Sequence, residues 1–409
     1  MSKVDGSKVA GRREVMRHLL WGGAGIVWSV AGGVPHALRS GDDAKAGEMR
    51  GFTFGQISDS HIGFKAGAHP SAEDTLTEAV AKMAVLKPDF VIHTGDVSHL
   101  SAAGQFAAAA DIMRGVKRDV YYVPGEHDTI GDGGKLFFQR FGRGGSSGGW
   151  YTFDAHGVHF VGLVNVVKLT QAGLGYFGPD QLQWLDRDLR HRSASTPIVV
   201  FTHMPMWSIY PQWGWGTEDS APALAALRRF GSVTILNGHI HQVMQKVEGN
   251  VTYHTAYSTA FPQPPPGVGP GPGPLSVPAG KLRTLLGIRR LDVVADRVAV
   301  MDATLGAAAA TDTSLAATAA AAAPATKPDI TITHYSFQPG TLTVARGSTV
   351  TWVNNDGDVH TIESTDGPEA FNSPALDSGT RFQFTFHRAG TYHYACSVHP
   401  FMHGVIVVR

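Results

Sequence analysis

The chain has 409 residues, 43% of them hydrophobic and 17% charged, with 34 Lys+Arg against 34 Asp+Glu. That length exceeds one ordinary core and predicts two domains plus a leader. The zero net charge excludes a net field for nucleic acid or an anionic membrane, and a single cysteine, Cys396, excludes an internal disulfide.

In chain order, Lys3, Lys8, Arg12, Arg13 and Arg17 precede a mildly apolar stretch from Leu19 to Val34. Its 16 residues are fewer than the roughly 20 that a membrane span needs. Ala44-Lys45-Ala46 offers a small-x-small cleavage site. The run Gly11-Arg12-Arg13-Glu14-Val15-Met16-Arg17 resembles a twin-arginine export signal. Residues 1–46 therefore read as a signal segment. That implies a periplasmic or secreted protein, exported folded, with no transmembrane segment once cleaved. An uncleaved anchor is the alternative.

From Phe52 to Thr304, strand-like and helix-like stretches alternate. Strands are expected at 52–58, 89–94, 119–123, 158–164, 197–202 and 233–237. Helices are expected at 72–86, 102–116, 180–190 and 221–230. Antiparallel strands are expected at 243–247, 251–254, 284–292 and 297–301. The order predicts a layered α/β domain over 47–305. Pro262 to Pro274 is a Pro/Gly run, which demands an irregular loop. Residues 306–328 are Ala/Thr-rich without apolar periodicity and read as an interdomain linker. As coil, these 23 residues reach about 25 Å. From Asp329 on, alternating segments at 330–332, 341–344, 349–353, 382–386, 391–394 and 405–408 predict a small all-β sandwich over 329–409.

Metal-type residues fall where the α/β strands end. Asp59-Ser60-His61 follows the first strand, Gly95-Asp96 the second and Gly125-Glu126-His127-Asp128 the third. Thr202-His203 ends a fourth, and Gly238-His239-Ile240-His241 follows a fifth. Sites in α/β sheets assemble at this edge. In this order the five segments resemble the calcineurin-like metallophosphoesterase superfamily, and within it the class III cyclic-nucleotide phosphodiesterase-like group. The resemblance implies an α-β-β-α sandwich, a pair of metal ions and a phosphate-ester substrate. It implies that Asp59, His61 and His241 hold one ion, that Asp96 bridges both, and that Glu126, His203 and His239 complete the second. His127 would act beside the metals on the leaving group or the phosphoryl charge, with Asp128 orienting it. Imidazole and carboxylate donors suit Mn, Fe, Zn or Co, divalent or trivalent.

The superfamily usually has Asn where this chain has Glu126. The extra negative charge predicts tighter cation binding and weaker Lewis acidity; alternatively the side chain swings away and activity falls. His99, three residues after Asp96, stands at the spacing of a tyrosine ligand in purple acid phosphatases. It is either an extra ligand or part of the pocket wall. Trp207, Tyr210, Trp213 and Trp215 either face substrate or pack the loop after His203. His93, His156, His159, His191 and His254 read as ordinary histidines.

Near the C-terminus, Cys396-Ser397-Val398-His399-Pro400-Phe401-Met402 follows a strand, with His360 upstream. Two His, one Cys and a weak Met are the donor set of type 1 copper, and ligation accounts for the lone thiol. The C-x-x-H-x-x-M loop resembles that of amicyanin among the amicyanin/plastocyanin-like cupredoxins, which are Greek-key sandwiches. The resemblance implies one copper ion held by His360, Cys396, His399 and Met402. It also implies electron exchange with a redox partner protein through the exposed edge of His399. A copper-free sandwich used for binding is the alternative.

Together these features predict an exported dinuclear-metal hydrolase of phosphomonoesters or phosphodiesters with an accessory copper domain. The alternatives are a redox protein whose copper exchanges electrons with the dinuclear centre, and a non-catalytic metal-binding protein disabled by Glu126.

Overall fold

The structure, a computed structural model, describes residues 27–31, 34–36, 51–65, 71–143, 148–294, 297–306 and 329–409. Most of the signal segment and nearly all of the expected linker lie outside the described residues. Two strands within the former, Val27–Ala31 and Val34–His36, lengthen the edge of the first sheet. Among the described residues no helix is long and apolar enough to cross a membrane.

The first sheet starts at Phe52–Ile57, whose side chains alternate in strand fashion. Phe52 and Phe54 face the second sheet, and Ile57 faces helices. Phe90–His93 and Val120–Tyr122 add to it in parallel. Gly287–Val294 and Arg297–Thr304 return antiparallel on its other side. The second sheet sets Val158–Gly162, Ile198–Phe201, Val233–Asn237 and Val251–Thr255 parallel, between the antiparallel edges Tyr151–Ala155 and Gln245–Glu248. The strand near 251, expected to be antiparallel, is so only towards Gln245–Glu248; it runs parallel to Val233–Asn237.

Aromatic rings fill the space between the sheets. Phe54 stacks on Phe90 at 5.3 Å, and Phe160 meets both edge-on. Ala72–Leu86, Ala103–Met113 and Lys135–Phe141 cover the outer face of the first sheet. Pro179–Arg190 and Ser220–Leu227 cover that of the second. The result is four layers, α-β-β-α.

Helix 72–86 illustrates how local signals set these layers. Leu76, Ala79, Val80 and Met83 recur at helical spacing and form its buried stripe. Ser71 caps its start by accepting the Asp74 N–H at 3.2 Å, and Lys87, in a left-handed conformation before Pro88, ends it. Ser71→Ala should cost about 1 kcal/mol in denaturant unfolding, measured as a lower midpoint at unchanged slope.

The C-terminal part is a sandwich of two four-stranded sheets. One contains Ile330–Thr333, Ser336–Gln338, Thr349–Asn354 and Arg381–Thr385. The other contains Thr341–Val344, Glu363–Asp366, Gly390–Ala395 and His403–Val408. Trp352 and Tyr394 meet edge-on at 5.8 Å in its core.

The sandwich rests on the loop edge of the first domain. Leu100 and Ile130 pack against its core. The Tyr335 hydroxyl bonds to the Pro272 carbonyl in the Pro/Gly run. A Cβ at Gly273 would lie 1.7 Å from that hydroxyl, so the loop receives Tyr335 only because glycine stands there.

Candidate metal centres

The parallel strands of each sheet end level with one another. Ile57 pairs with His93, and His93 with Tyr122; Gly162 pairs with Phe201, and Phe201 with Leu236. The five loops therefore emerge side by side. Below them Gln56 joins the sheets, donating to Thr94 Oγ1 at 3.0 Å and to Asn237 O at 3.2 Å. Asp59, His61, Asp96, His239 and His241 all adopt left-handed backbone, with φ of 52°, 39°, 50°, 71° and 53°. Such strain in non-glycine residues concentrates at functional sites. A Cβ at Gly125 would sit 2.0 Å from Asp96 Oδ1, so glycine lets the third loop close onto the second.

Two groups of donors result. In the first, His61 Nε2 lies 3.2 Å from His241 Nε2 and 3.4 Å from Asp96 Oδ2, and His241 Nε2 lies 3.4 Å from Asp59 Oδ1. In the second, Glu126 stands 2.9 Å from both His203 Nε2 and His239 Nδ1. Asp96 Oδ2 is 3.4 Å from His203 Nε2 as well, so one oxygen faces both groups. Donors bound about 2.1 Å from one ion stand roughly 3.0–3.4 Å apart. The histidines are oriented from behind: His203 Nδ1 bonds to Thr94 O at 2.7 Å and His241 Nδ1 to Phe261 O at 2.6 Å, leaving each Nε2 to the pocket. Glu126 Oε2, His203 Nε2 and both ring nitrogens of His239 are buried without a hydrogen-bond partner among the described residues. Their close approaches lack hydrogen-bond alignment, as expected of lone pairs aimed at a common cation. The seven residues thus fit a metal pair.

Burial pushes the His61 pKa well below its usual value, with His127 and His241 adding to the effect, so the ring is a neutral donor. Burial would raise the Glu126 carboxyl, but His239 and His203 outweigh it and hold it ionised. Glu126 points inward between His203 and His239 and does not swing away. Glu126→Asn should weaken retention of the second cation at least about tenfold, read by chelator competition, because a charged donor is lost.

His127 turns Nδ1 to the His99 carbonyl at 2.9 Å, so Nε2 points into the cavity. Asp128 does not orient this ring, contrary to expectation. Its carboxylate is consumed by the Val97, Ser98 and Gly125 amides at 2.8–3.0 Å and by the Ser98 hydroxyl, which tie two ligand loops together. His99 stacks on His127 at 5.1 Å and approaches His61 at Nδ1, opposite the nitrogen turned to Asp96, so it packs behind these two rings and does not line the cavity. His93, read as ordinary, bonds to Ser60 inside the first ligand loop. Of the aromatic loop, Trp213 lines the cavity, Trp215 is sealed against Ile240, and Trp207 packs on Tyr253.

In the C-terminal sandwich, Cys396 Sγ lies 3.7 Å from His360 Nδ1 and 3.9 Å from His399 Nδ1, and the two nitrogens are 3.3 Å apart. These spacings fit a trigonal N₂S site. Burial would raise the thiol, but His360 and His399 outweigh it and hold it well below its usual value, as a thiolate. The Thr361 and His399 amides approach the sulfur at 3.4 and 3.3 Å. Met402 is buried in the same core and closes the loop by bonding its carbonyl to the Cys396 amide.

The edge of His399 does not face solvent. The residue is 8% exposed, and its Nε2 lies 3.5 Å from Asp358 Oδ2. Asp358 Oδ1 in turn lies 3.9 Å from His127 Nε2. Both line one cavity with His61, Asp96, Glu126 and His239. That cavity has a volume of about 20 Å³ open to the centre of a water, roughly room for one water. Asp358 and Tyr335 escaped sequence reasoning because no motif marks them; only the docking of the two domains gives them a place at the site.

With this geometry, the comparisons with known proteins agree. Residues 52–243 match the family described as calcineurin-like phosphoesterase, and residues 304–408 the cupredoxin-like domain. Amicyanin-alpha of Methylorubrum extorquens is 36% identical over 90 residues, 21% of this chain and 76% of that protein. Amicyanin of Paracoccus denitrificans is 35% identical over 83 residues, covering 20% and 63%. A 3',5'-cyclic-nucleotide phosphodiesterase of Nostoc sp. is 24% identical over 196 residues, covering 47% and 71%. The protein is thus a fusion of two metal-binding classes. By its C-terminal domain the chain belongs to the cupredoxins, and it carries a calcineurin-like phosphoesterase domain before it.

Proposed function

We propose that the chain hydrolyses phosphate esters at a metal pair held by Asp59, His61, Asp96, Glu126, His203, His239 and His241. The observation that carries this reading is the convergence of five strand-end loops on two donor groups that share Asp96 Oδ2. Bound there, two cations supply Lewis acidity and an activated water for in-line attack at phosphorus. Manganese, iron, zinc and cobalt all suit the donors. Similarity to a cyclic-nucleotide phosphodiesterase supports a diester substrate, with monoesters the other possibility. Export through a twin-arginine signal, with a periplasmic or secreted location, completes the proposal.

His127 turns Nε2 towards the cavity. Burial would lower its pKa, but Asp96, Asp358 and Glu126 outweigh burial and raise it. A proton at Nε2 can pass to the leaving alkoxide. His127→Gln should lower kcat about 10²-fold with little change in bound metal. A panel of aryl phosphomonoesters and phosphodiesters on metal-loaded protein tests the reading; full occupancy of the pair without turnover of any ester overturns it.

A cavity of about 20 Å³ admits no phosphate ester, so turnover requires the cupredoxin domain to withdraw. Ile130 packs on that domain and is not itself one of the ligands. Ile130→Glu should raise turnover about fivefold or more by favouring the undocked state.

A second reading is supported by the position of His399 on the cavity wall. A copper ion held by His360, Cys396, His399 and Met402 would there be placed to exchange electrons with a redox-active ion of the pair, and a separate redox partner protein would serve the undocked domain. Turnover that depends on copper oxidation state favours it.

A further inference from the structure

The cupredoxin resemblance implies an exposed edge on His399. Here the edge of His399 is buried by the chain's own phosphoesterase domain. Among the described residues the one acidic side chain from the sandwich lining that cavity is Asp358, and its two oxygens face different centres: Oδ2 lies 3.5 Å from His399 Nε2, and Oδ1 lies 3.9 Å from His127 Nε2. The position is over-determined. The Val359 amide donates to Oδ1 at 2.8 Å, and the Tyr335 hydroxyl reaches Oδ2 at 3.0 Å. Tyr335 packs edge-on against both copper-ligand histidines, at 5.3 and 5.1 Å, and bonds to Pro272 of the first domain. A fully buried carboxylate held this firmly, on the surface where a cavity of one water's size separates two metal sites, is not accounted for by either site alone.

We propose that Asp358 couples the copper centre to the phosphoesterase pocket, so that what occupies the pocket sets how readily copper is reduced. By reciprocity the oxidation state of copper sets how tightly the pocket holds an anion. The inference rests on the metal-pair reading of the pocket but not on hydrolysis.

The signs follow from charge. Loading the pair places cations beyond Asp358 and makes the extra positive charge of oxidised copper less favourable, so the copper potential rises. Phosphate adds negative charge there, or displaces the docked domain from the cations; either lowers the potential. The redox event is one electron passing from an external one-electron carrier to Cu(II), giving Cu(I). With zinc at the pair, no other group changes valence.

The test uses the full chain with copper and redox-silent zinc, following the blue absorption against applied potential with and without inorganic phosphate. Zinc loading should raise the potential, and phosphate should lower it. Phosphate affinity should differ about tenfold between oxidised and reduced protein, equivalent to about 59 mV for a one-electron couple. Asp358→Asn should reduce both shifts to under a third. Should that variant fail to fold or to hold copper, Tyr335→Phe, which removes the hydroxyl that meets both Asp358 and the Pro272 carbonyl, should weaken them in the same direction. Asp356→Asn is the control. Its carboxylate meets the other copper ligand, His360, at 3.1 Å and does not line the cavity, so both shifts should persist. The proposal is overturned if zinc loading leaves the potential unchanged, or if the shifts survive in both Asp358→Asn and Tyr335→Phe. Intact shifts in a protein that turns over no ester would sink the hydrolase reading alone.

Discussion

Asp96→Asn should lower ester turnover by about 10³-fold or more, roughly 4 kcal/mol of transition-state stabilisation, while the blue absorption stays in place. The size of the effect follows from geometry. Oδ2 faces both donor groups at 3.4 Å, while Oδ1 accepts the His127 amide at 3.0 Å. An amide at this position still fills the space and can keep an oxygen towards His127. It brings an NH₂ or a neutral oxygen to the point where two cations need a shared negative charge. Both ions loosen together, which no other single ligand change would do. The measurement is kcat on an aryl phosphodiester alongside metal analysis of the same preparation. Loss of activity with both ions fully retained would mean that Asp96 works on the reaction and does not hold the pair.

Cys396→Ser should abolish the blue absorption completely and leave hydrolysis within about tenfold of the parent. The sulfur is the charged donor of the copper site, and a hydroxyl cannot replace a thiolate in the charge transfer that gives the colour. The residue lies in the core of the sandwich and touches no ligand of the pair, so the phosphoesterase loops should keep their shape. The tenfold margin reflects the contact through Asp358. A much larger loss of hydrolysis would mean that the folded copper loop is part of the catalytic pocket.

Much of this was legible before the structure. Helix 72–86 could be read because its apolar residues recur at helical spacing, and the Ser71 cap and left-handed Lys87 hold its ends where that pattern starts and stops. The ligand loops were legible because each sets an acid or imidazole just after an apolar strand, three of the five beside a glycine. Helix Lys135–Phe141 and strands Ser336–Gln338 and Glu363–Asp366 were not, being too short or too polar to show a period. Asp128 was misassigned because its role was carried over from the family resemblance. In the single 3₁₀ turn Glu126–Asp128, however, neighbouring side chains diverge, and the carboxylate turns back to amides of the second ligand loop. Asp358 was invisible for a deeper reason. Its role depends on where one domain lands on the other, and no local pattern encodes that.

Metal content per chain tests the central claim most directly. Elemental analysis of the purified full chain, together with Asp96→Asn and Cys396→Ser, should give one copper and two other transition-metal ions for the parent protein. The first variant should lose the non-copper ions and the second only copper. A parent chain that binds a single non-copper ion under saturating metal, or a Cys396→Ser variant that loses the pair, would contradict the account.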